Sequence, residues 1–187
     1  MNLNRQDGLD TDALREIVDR QQIWDCLLRY ARGMDRLDEE LALSAYHPGA
    51  IEDHGAVIAP CEVFVPQVIA FHRRMERVTQ HILTNHSCEI AGDVAHCETY
   101  THCFSVMPEG PSRIGFGRFV DRLERRDGRW GIASRVSVPE GAIEAPALDD
   151  RAGMVDLPGT LGKPARDRSD PSYLRPLPLD RAAPAEA

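Results

Sequence analysis

The sequence predicts an α+β domain in which amino-terminal helices pack into a curved antiparallel sheet. Two observations carry this. Helical periodicity is confined to the residues before Arg77, and four β-rich segments separated by turn signals follow it. From Leu14 onward, apolar or small residues recur as Ile17, Val18, Trp24, Leu27, Leu28 and Ala31, at spacings of three and four. That is the pattern of an amphipathic helix, with Asp10 or Thr11 as its start and Gly33 as its end. A short second helix is expected over Asp38–Ala45, then a turn at Tyr46–Ala50 and a short strand at Ile51–Asp53. Pro60 suits the first turn of a third helix running towards Arg77, which Pro66 is expected to kink or delay. Beyond it, Gln80–Ile90, Val94–Met107, Ile114–Arg125 and Trp130–Val138 read as strands. They are bounded by Ala91-Gly92-Asp93, Pro108-Glu109-Gly110-Pro111 and Arg126-Asp127-Gly128.

The domain is expected to occupy residues 1–148. Residues 149–187 hold six prolines in 39 positions and few large apolar side chains, so they build no core of their own. They read either as a disordered tail or as an extended arm laid over the sheet or a neighbouring subunit, with Tyr173 and Leu174 as anchors.

Composition limits the partners. Over 187 residues, 42% are hydrophobic and 28% charged, ordinary values for a soluble globular chain. A net charge of −8 argues against nucleic acid and anionic membrane as partners. No apolar run approaches the roughly 20 residues of a membrane span, and the polar start Met1–Asp7 has no signal-type stretch, so a cytoplasmic location is expected. Five cysteines, an odd number without a C-x-x-C pair, fit reduced thiols.

Among residues able to carry chemistry, Asp35 is the most informative. It lies four positions after Ala31 and continues the inward stripe of the first helix, where a carboxylate is costly unless paired. Gly33, however, can break that periodicity and leave Asp35 exposed. Tyr30 sits on the flank of the same stripe. Of the seven histidines, His81 and His86 are five apart and alternate to opposite faces of a regular strand. His96 and His102 share a face but lie roughly 20 Å apart. Neither pair has metal-site spacing, so no metal is expected, with ligands from separate strands the remaining route. Arg135 stands between Ile132, Ala133 and Val136, where burial demands a partner.

Two motifs bring these residues together. Arg29-Tyr30-Ala31-Arg32-Gly33-Met34-Asp35-Arg36 with Tyr46-His47-Pro48-Gly49-Ala50, and Arg125-Arg126-Asp127-Gly128-Arg129-Trp130 with Ser134-Arg135, resemble the signature of SnoaL-like proteins of the NTF2-like superfamily over roughly residues 10–140. The resemblance implies a cone-shaped α+β barrel. It also implies kinship with the superfamily's cofactor-free lyases: scytalone dehydratases, hexachlorocyclohexane dehydrochlorinases and bile-acid 7α-dehydratases. In those an Asp–His pair is central. Asp35 matches the aspartate and His81 the histidine, since His81-Ile82-Leu83-Thr84-Asn85 resembles the dehydrochlorinase H-x-x-T-N. Tyr30 and Arg135 match further catalytic positions, and His102 stands loosely for a second pocket histidine. Tyr30 takes the place of the dehydrochlorinase lysine, which favours an oxygen leaving group over chloride.

The resemblance therefore implies a cofactor-free elimination of dehydratase type, or a C–C cleavage that releases an aldehyde. The expected substrate is a hydrophobic aromatic or steroid-like oxygenated molecule, bound among Trp24, Phe71, Phe104, Phe116 and Phe119. Other readings are a ketosteroid-type isomerase, the structural β subunit of a ring-hydroxylating dioxygenase, and a ligand-binding module without turnover. A homo-oligomer is expected, with a trimer favoured over a dimer.

Overall fold

A computed structural model describes residues 10–146 and 165–177. Helix α1 (Thr11–Arg36) starts at Asp10, whose side chain accepts the Asp12 and Ala13 amides and so satisfies donors that a helix leaves open. Its buried seam is Ile23, Cys26, Leu27, Tyr30, Ala31 and Met34, whereas Leu14, Ile17, Val18 and Leu28 are exposed. The seam is thus rotated from the expected stripe, and only its second half reaches the core. Nor does α1 end at Gly33. It runs on to Arg36 and closes at Leu37, which takes the left-handed conformation (φ 51°). Gly33 serves contact instead: a Cβ there would lie 2.5 Å from the Ala42 nitrogen of α2 (Glu39–Leu43). The added residues keep Asp35 on the helix.

Strand β1 (Tyr46–Asp53) absorbs the expected turn as an irregularity between Tyr46 and Ile51. After β2 (Ile58–Pro60), helix α3 (Cys61–Met75) starts behind Pro60 and carries Pro66 inside it without ending there. The four long strands are β3 (Val78–Ala91), β4 (Val94–Val106), β5 (Ser112–Arg126) and β6 (Arg129–Ala145). They form one curved, open six-stranded sheet in the order β2-β1-β6-β5-β4-β3. All neighbours are antiparallel except β1 with β6, so the sheet is mixed.

Helices cover the inner face, and the core joins Ile23, Leu27 and Met34 of α1 to Phe64 and Ile69 of α3 and to Phe119, Leu123, Trp130 and Ile132 of the sheet. The hairpin between β5 and β6 turns on Asp127 (φ 52°) and Gly128 (φ 76°), a pair of positive φ angles that matches strand twist. It pins α1 as well: buried Asp19 accepts hydrogen bonds from Arg125 Nη1 (2.8 Å) and Trp130 Nε1 (2.9 Å). Among the described residues, no helix is long and apolar enough to cross a membrane.

One irregularity in β3 matters for function. Leu83 pairs with Thr101 and His86 with Thr99, so Thr84 and Asn85 together oppose Tyr100. This bulge resets the alternation. His81 and Leu83 face inward before it, and His86, Cys88 and Ile90 face inward after it. Regular alternation had placed His86 on the opposite face from His81; the inserted residue brings it to the same one.

Residues 165–177 lie back along their own chain. The short helical turn Pro171–Tyr173 brings the Tyr173 hydroxyl to Asp38 Oδ2 (2.7 Å) and its ring beneath the Arg32 guanidinium (4.9 Å). Leu174 remains 39% exposed. The rest of the expected arm falls outside the described residues.

Candidate active site

Asp35 sits in the last turn of α1, where the negative end of the helix disfavours a carboxylate. The sheet compensates. The His81 amide donates to both Asp35 oxygens at 3.0 Å, and the His81 ring approaches Asp35 Oδ1 through Nδ1 at 2.7 Å. Both side chains are largely buried, at 10% and 14% exposure. With Nδ1 engaged by the carboxylate, Nε2 is the atom left for a ligand. Burial alone would lower the imidazole pKa, but the hydrogen bond and charge of Asp35, aided by the neighbouring Cys103, push it up to about 10. Cys103 is the residue paired with His81 across the ladder.

The cavity that His81 faces has a volume of about 570 Å³, in the range of small-molecule sites. Its walls mix Phe71, Met75, Met107, Phe116, Phe119 and Val138 with Tyr30, Thr101, Cys103 and Ser105. Two further histidines line it, and the sequence reading had passed over both. His72 of α3 holds Glu76 Oε2 through Nδ1 at 2.5 Å, and its ring meets that of His81 edge to face at 5.7 Å. Their i, i+4 spacing places histidine and glutamate on one helix face, the only signal that sequence offered. Burial would raise the Glu76 pKa, yet His72, Ser105 and Arg166 together hold it below its ordinary value, so it stays ionised. His54 contacts Glu52 Oε2 at 3.0 Å. Each cavity histidine therefore leans on a carboxylate.

Tyr30 is buried and borders the cavity. Burial and the nearby Glu52 charge hold its hydroxyl well above the usual phenol pKa, so it remains a neutral donor. Arg135 does not reach the cavity. It is fully buried and donates from Nε and Nη2 to Asp121 at 2.7 and 2.9 Å, with Tyr30 and Phe119 rings at 4.3 and 4.1 Å from its guanidinium. Asp121 is its direct cross-strand neighbour, the partner that burial demanded. Burial works against its charge, but Asp121 more than restores it and Arg135 stays cationic. The arginine carries Tyr30 rather than touching a ligand.

Of the other expected lining residues, Phe116 borders the cavity, as do Phe71 and Phe119. Trp24, His102 and Phe104 do not line it. His81 pairs with Cys103, so Thr101, Cys103 and Ser105 share its face and alternation turns His102 and Phe104 to the outer face. Trp24 lies three turns before Asp35 on α1 and packs on His86 (5.1 Å between ring centroids).

A further contact comes from the carboxy-terminal segment. Arg166 donates to the carbonyls of Asp35 (3.3 Å), His72 (3.1 Å) and Glu76 (2.7 Å) and to Thr79 Oγ1 (2.7 Å). One guanidinium thus ties together α1, the carboxy-terminal end of α3 and β3, which carry two of the three histidine–carboxylate pairs, Asp35–His81 and His72–Glu76.

Comparison with known proteins agrees with this fold. Solved structures of similar fold include a LinA-type3 hexachlorocyclohexane dehydrochlorinase from Novosphingobium barchaimii, 19% identical, covering 78% of this chain and 99% of that one with a TM-score of 0.66. A candidate scytalone dehydratase from Novosphingobium aromaticivorans is 15% identical over 73% and 96% of the two chains, TM-score 0.62. The Mycobacterium tuberculosis protein Rv3472, of unknown function, is 20% identical over 76% and 83%, TM-score 0.62. No curated protein matches the sequence. The family model of the SnoaL-like domain matches residues 15–136, and the chain belongs to that family.

Proposed function

We propose that the protein is a cofactor-independent lyase that removes water from a hydrophobic oxygenated substrate, with His81 as the base and Asp35 as its orienting partner. The observation that carries this is the Asp35–His81 pair on the wall of a mostly apolar cavity, with Nδ1 fixed by the carboxylate. Such fixing selects the tautomer and stabilises the imidazolium that forms.

In the proposed step, Nε2 of neutral His81 takes a proton from carbon. The C–H electron pair becomes the new C=C bond, the C–O bond breaks, and His72 protonates the departing hydroxyl to give water. Tyr30 donates a hydrogen bond to an oxygen of the substrate, supporting charge that develops there. After the step His81 gives its proton to solvent and His72 regains one from solvent, while the Glu76 carboxylate holds the His72 ring through Nδ1 and supports its charged form. The apolar walls favour an aromatic or steroid-like substrate with few oxygens.

The raised His81 pKa supports a second reading, in which a resting imidazolium polarises a carbonyl and His72 acts as base, giving isomerisation or C–C cleavage. A substrate panel in D₂O tests both, using small aromatic diols, β-hydroxy ketones and steroid acyl derivatives. Loss of water supports the first reading. Exchange of a carbon-bound hydrogen without loss of water, or release of an aldehyde, supports the second. Binding of panel members with neither exchange nor turnover overturns both and leaves a ligand-binding module.

A further inference from the structure

Beyond the bulge, the inner face of β3 carries a second cluster that the proposed reaction does not use. One ring nitrogen of His86 and the sulfurs of Cys88 and Cys97 all lie within 4.8 Å of one another. Cys88 and Cys97 are direct partners across the β3–β4 ladder. His86 reaches them because the bulge turns it inward. Its Nδ1 is held by Thr99 Oγ1 at 2.8 Å, while its buried Nε2 has no hydrogen-bond partner. A histidine held through Nδ1, with a buried and unsatisfied Nε2 on a ring that comes within 4.8 Å of two thiols, has the arrangement of a metal ligand with its supporting hydrogen bond.

We infer that His86, Cys88 and Cys97 form a binding site for a thiophilic dication, zinc(II), separate from the catalytic cavity. Two sulfurs and an imidazole nitrogen suit this ion, with water as a fourth ligand. Tetrahedral zinc spaces such donor atoms at roughly 3.5–3.8 Å, so closure needs side-chain adjustments of about 1 Å. On binding, each thiol releases one proton, and two thiolates balance the dication. His86 and Cys88 are only half-buried, which leaves the ion a route from solvent. The Trp24 ring against His86 and the hydrogen bond from Arg20 Nη1 to the Cys88 carbonyl (2.7 Å) hold the wall in place.

The test is titration of the fully reduced, chelator-treated full-length chain with cobalt(II), followed by displacement with zinc(II). The expected result is one equivalent bound, with thiolate-to-cobalt charge-transfer absorption that zinc abolishes. Cys88→Ser and Cys97→Ser each remove the band, Cys103→Ser retains it, and Thr99→Val weakens binding by about ten- to a hundred-fold. In the unaltered chain, zinc protects two thiols from alkylation, and peptide mapping identifies them as Cys88 and Cys97. Absence of a thiolate band, a band that survives both serine variants, or protection of other cysteines overturns the assignment. The alkylation result stands even if a serine variant does not fold.

Discussion

The rings of His72 and His81 meet edge to face at 5.7 Å, and each is held at Nδ1 by its own carboxylate, Glu76 and Asp35 respectively. The two histidines come from a helix and a strand, yet both border one cavity. The elimination proposed above needs one group to take a proton and another to give one, and these two rings are the candidates for the two roles.

His81→Ala and Asp35→Asn are expected to lower turnover by about 10²–10⁴-fold, the usual contribution of a positioned base. Substrate KM should change far less, because the cavity walls persist. Steady-state kinetics with circular dichroism as a fold control checks this, and near-normal turnover in both variants would reject the assignment.

Glu76→Gln leaves an amide beside His72 and removes the charge that supports it. If His72 protonates the leaving group, turnover should fall at least about tenfold for a poor leaving group and much less for a good one. A loss equal for both would mean that His72 only shapes the cavity. A series of substrates differing in leaving-group pKa makes the distinction.

The pH dependence follows from the raised pKa of His81. The imidazole is pushed up to about 10, so its neutral form grows as pH rises. If His81 is the base, kcat/KM should climb from neutrality towards pH 10; if the imidazolium is the active form, it should stay level from neutrality and fall only as pH approaches and passes about 10. Stability moves in a fixed direction under either reading. A folded-state pKa above the unfolded value of about 6.5 stabilises fully below pH 6.5 and is lost as pH rises towards 10. The advantage of the unaltered chain over Asp35→Asn in thermal unfolding should therefore shrink across that window.

Much of this site was legible in the sequence, and the failures have local causes. Periodicity marks Asp35 and Tyr30, the resemblance of Arg29–Asp35 to the SnoaL-like signature supports Asp35, and the H-x-x-T-N resemblance singles out His81. Aromatic character places Phe104 in the pocket and a loose resemblance places His102 there, but neither carries strand parity, which the His81–Cys103 pairing fixes. Trp24 misses the pocket because it lies about three turns before Asp35 on α1, against His86. His86 was placed on the wrong face because a bulge leaves no mark in a run of β-formers. His72, marked only by its i, i+4 spacing to Glu76, and Arg166, which has no such mark, escape the sequence for a different reason. They are joined to the site only by tertiary contact, and Arg166 lies 85 residues after His81.

Arg166→Gln tests that tertiary bracing. It removes hydrogen bonds to three elements at once, so the relative placement of His72 and His81 should loosen. The expected outcome is a fall in kcat of about tenfold or more with KM little changed. Arg166→Lys should restore only part of it, since an ammonium lacks the planar fork. Equal losses in kcat and overall fold content would assign Arg166 to stability alone.

Gly33→Ala should destabilise the fold by about 1–3 kcal/mol through overpacking, because its Cβ would lie 2.5–2.7 Å from Ala42 of α2. Chemical denaturation measures this. The same exchange would normally favour a helix, so a gain in stability would contradict the packing described.

The bulge at Thr84 and Asn85 also bears on how such a chain can change over time. Deleting one of these residues would restore strict alternation and turn either His81 or His86 outward, whereas replacing either one would leave both in place. The strand should therefore tolerate exchange at positions 84 and 85 but resist a change of length there. A single extra residue is what lets one strand hold the carboxylate-paired His81 at one end and the thiol-flanked His86 at the other, each free to be altered without moving its neighbour.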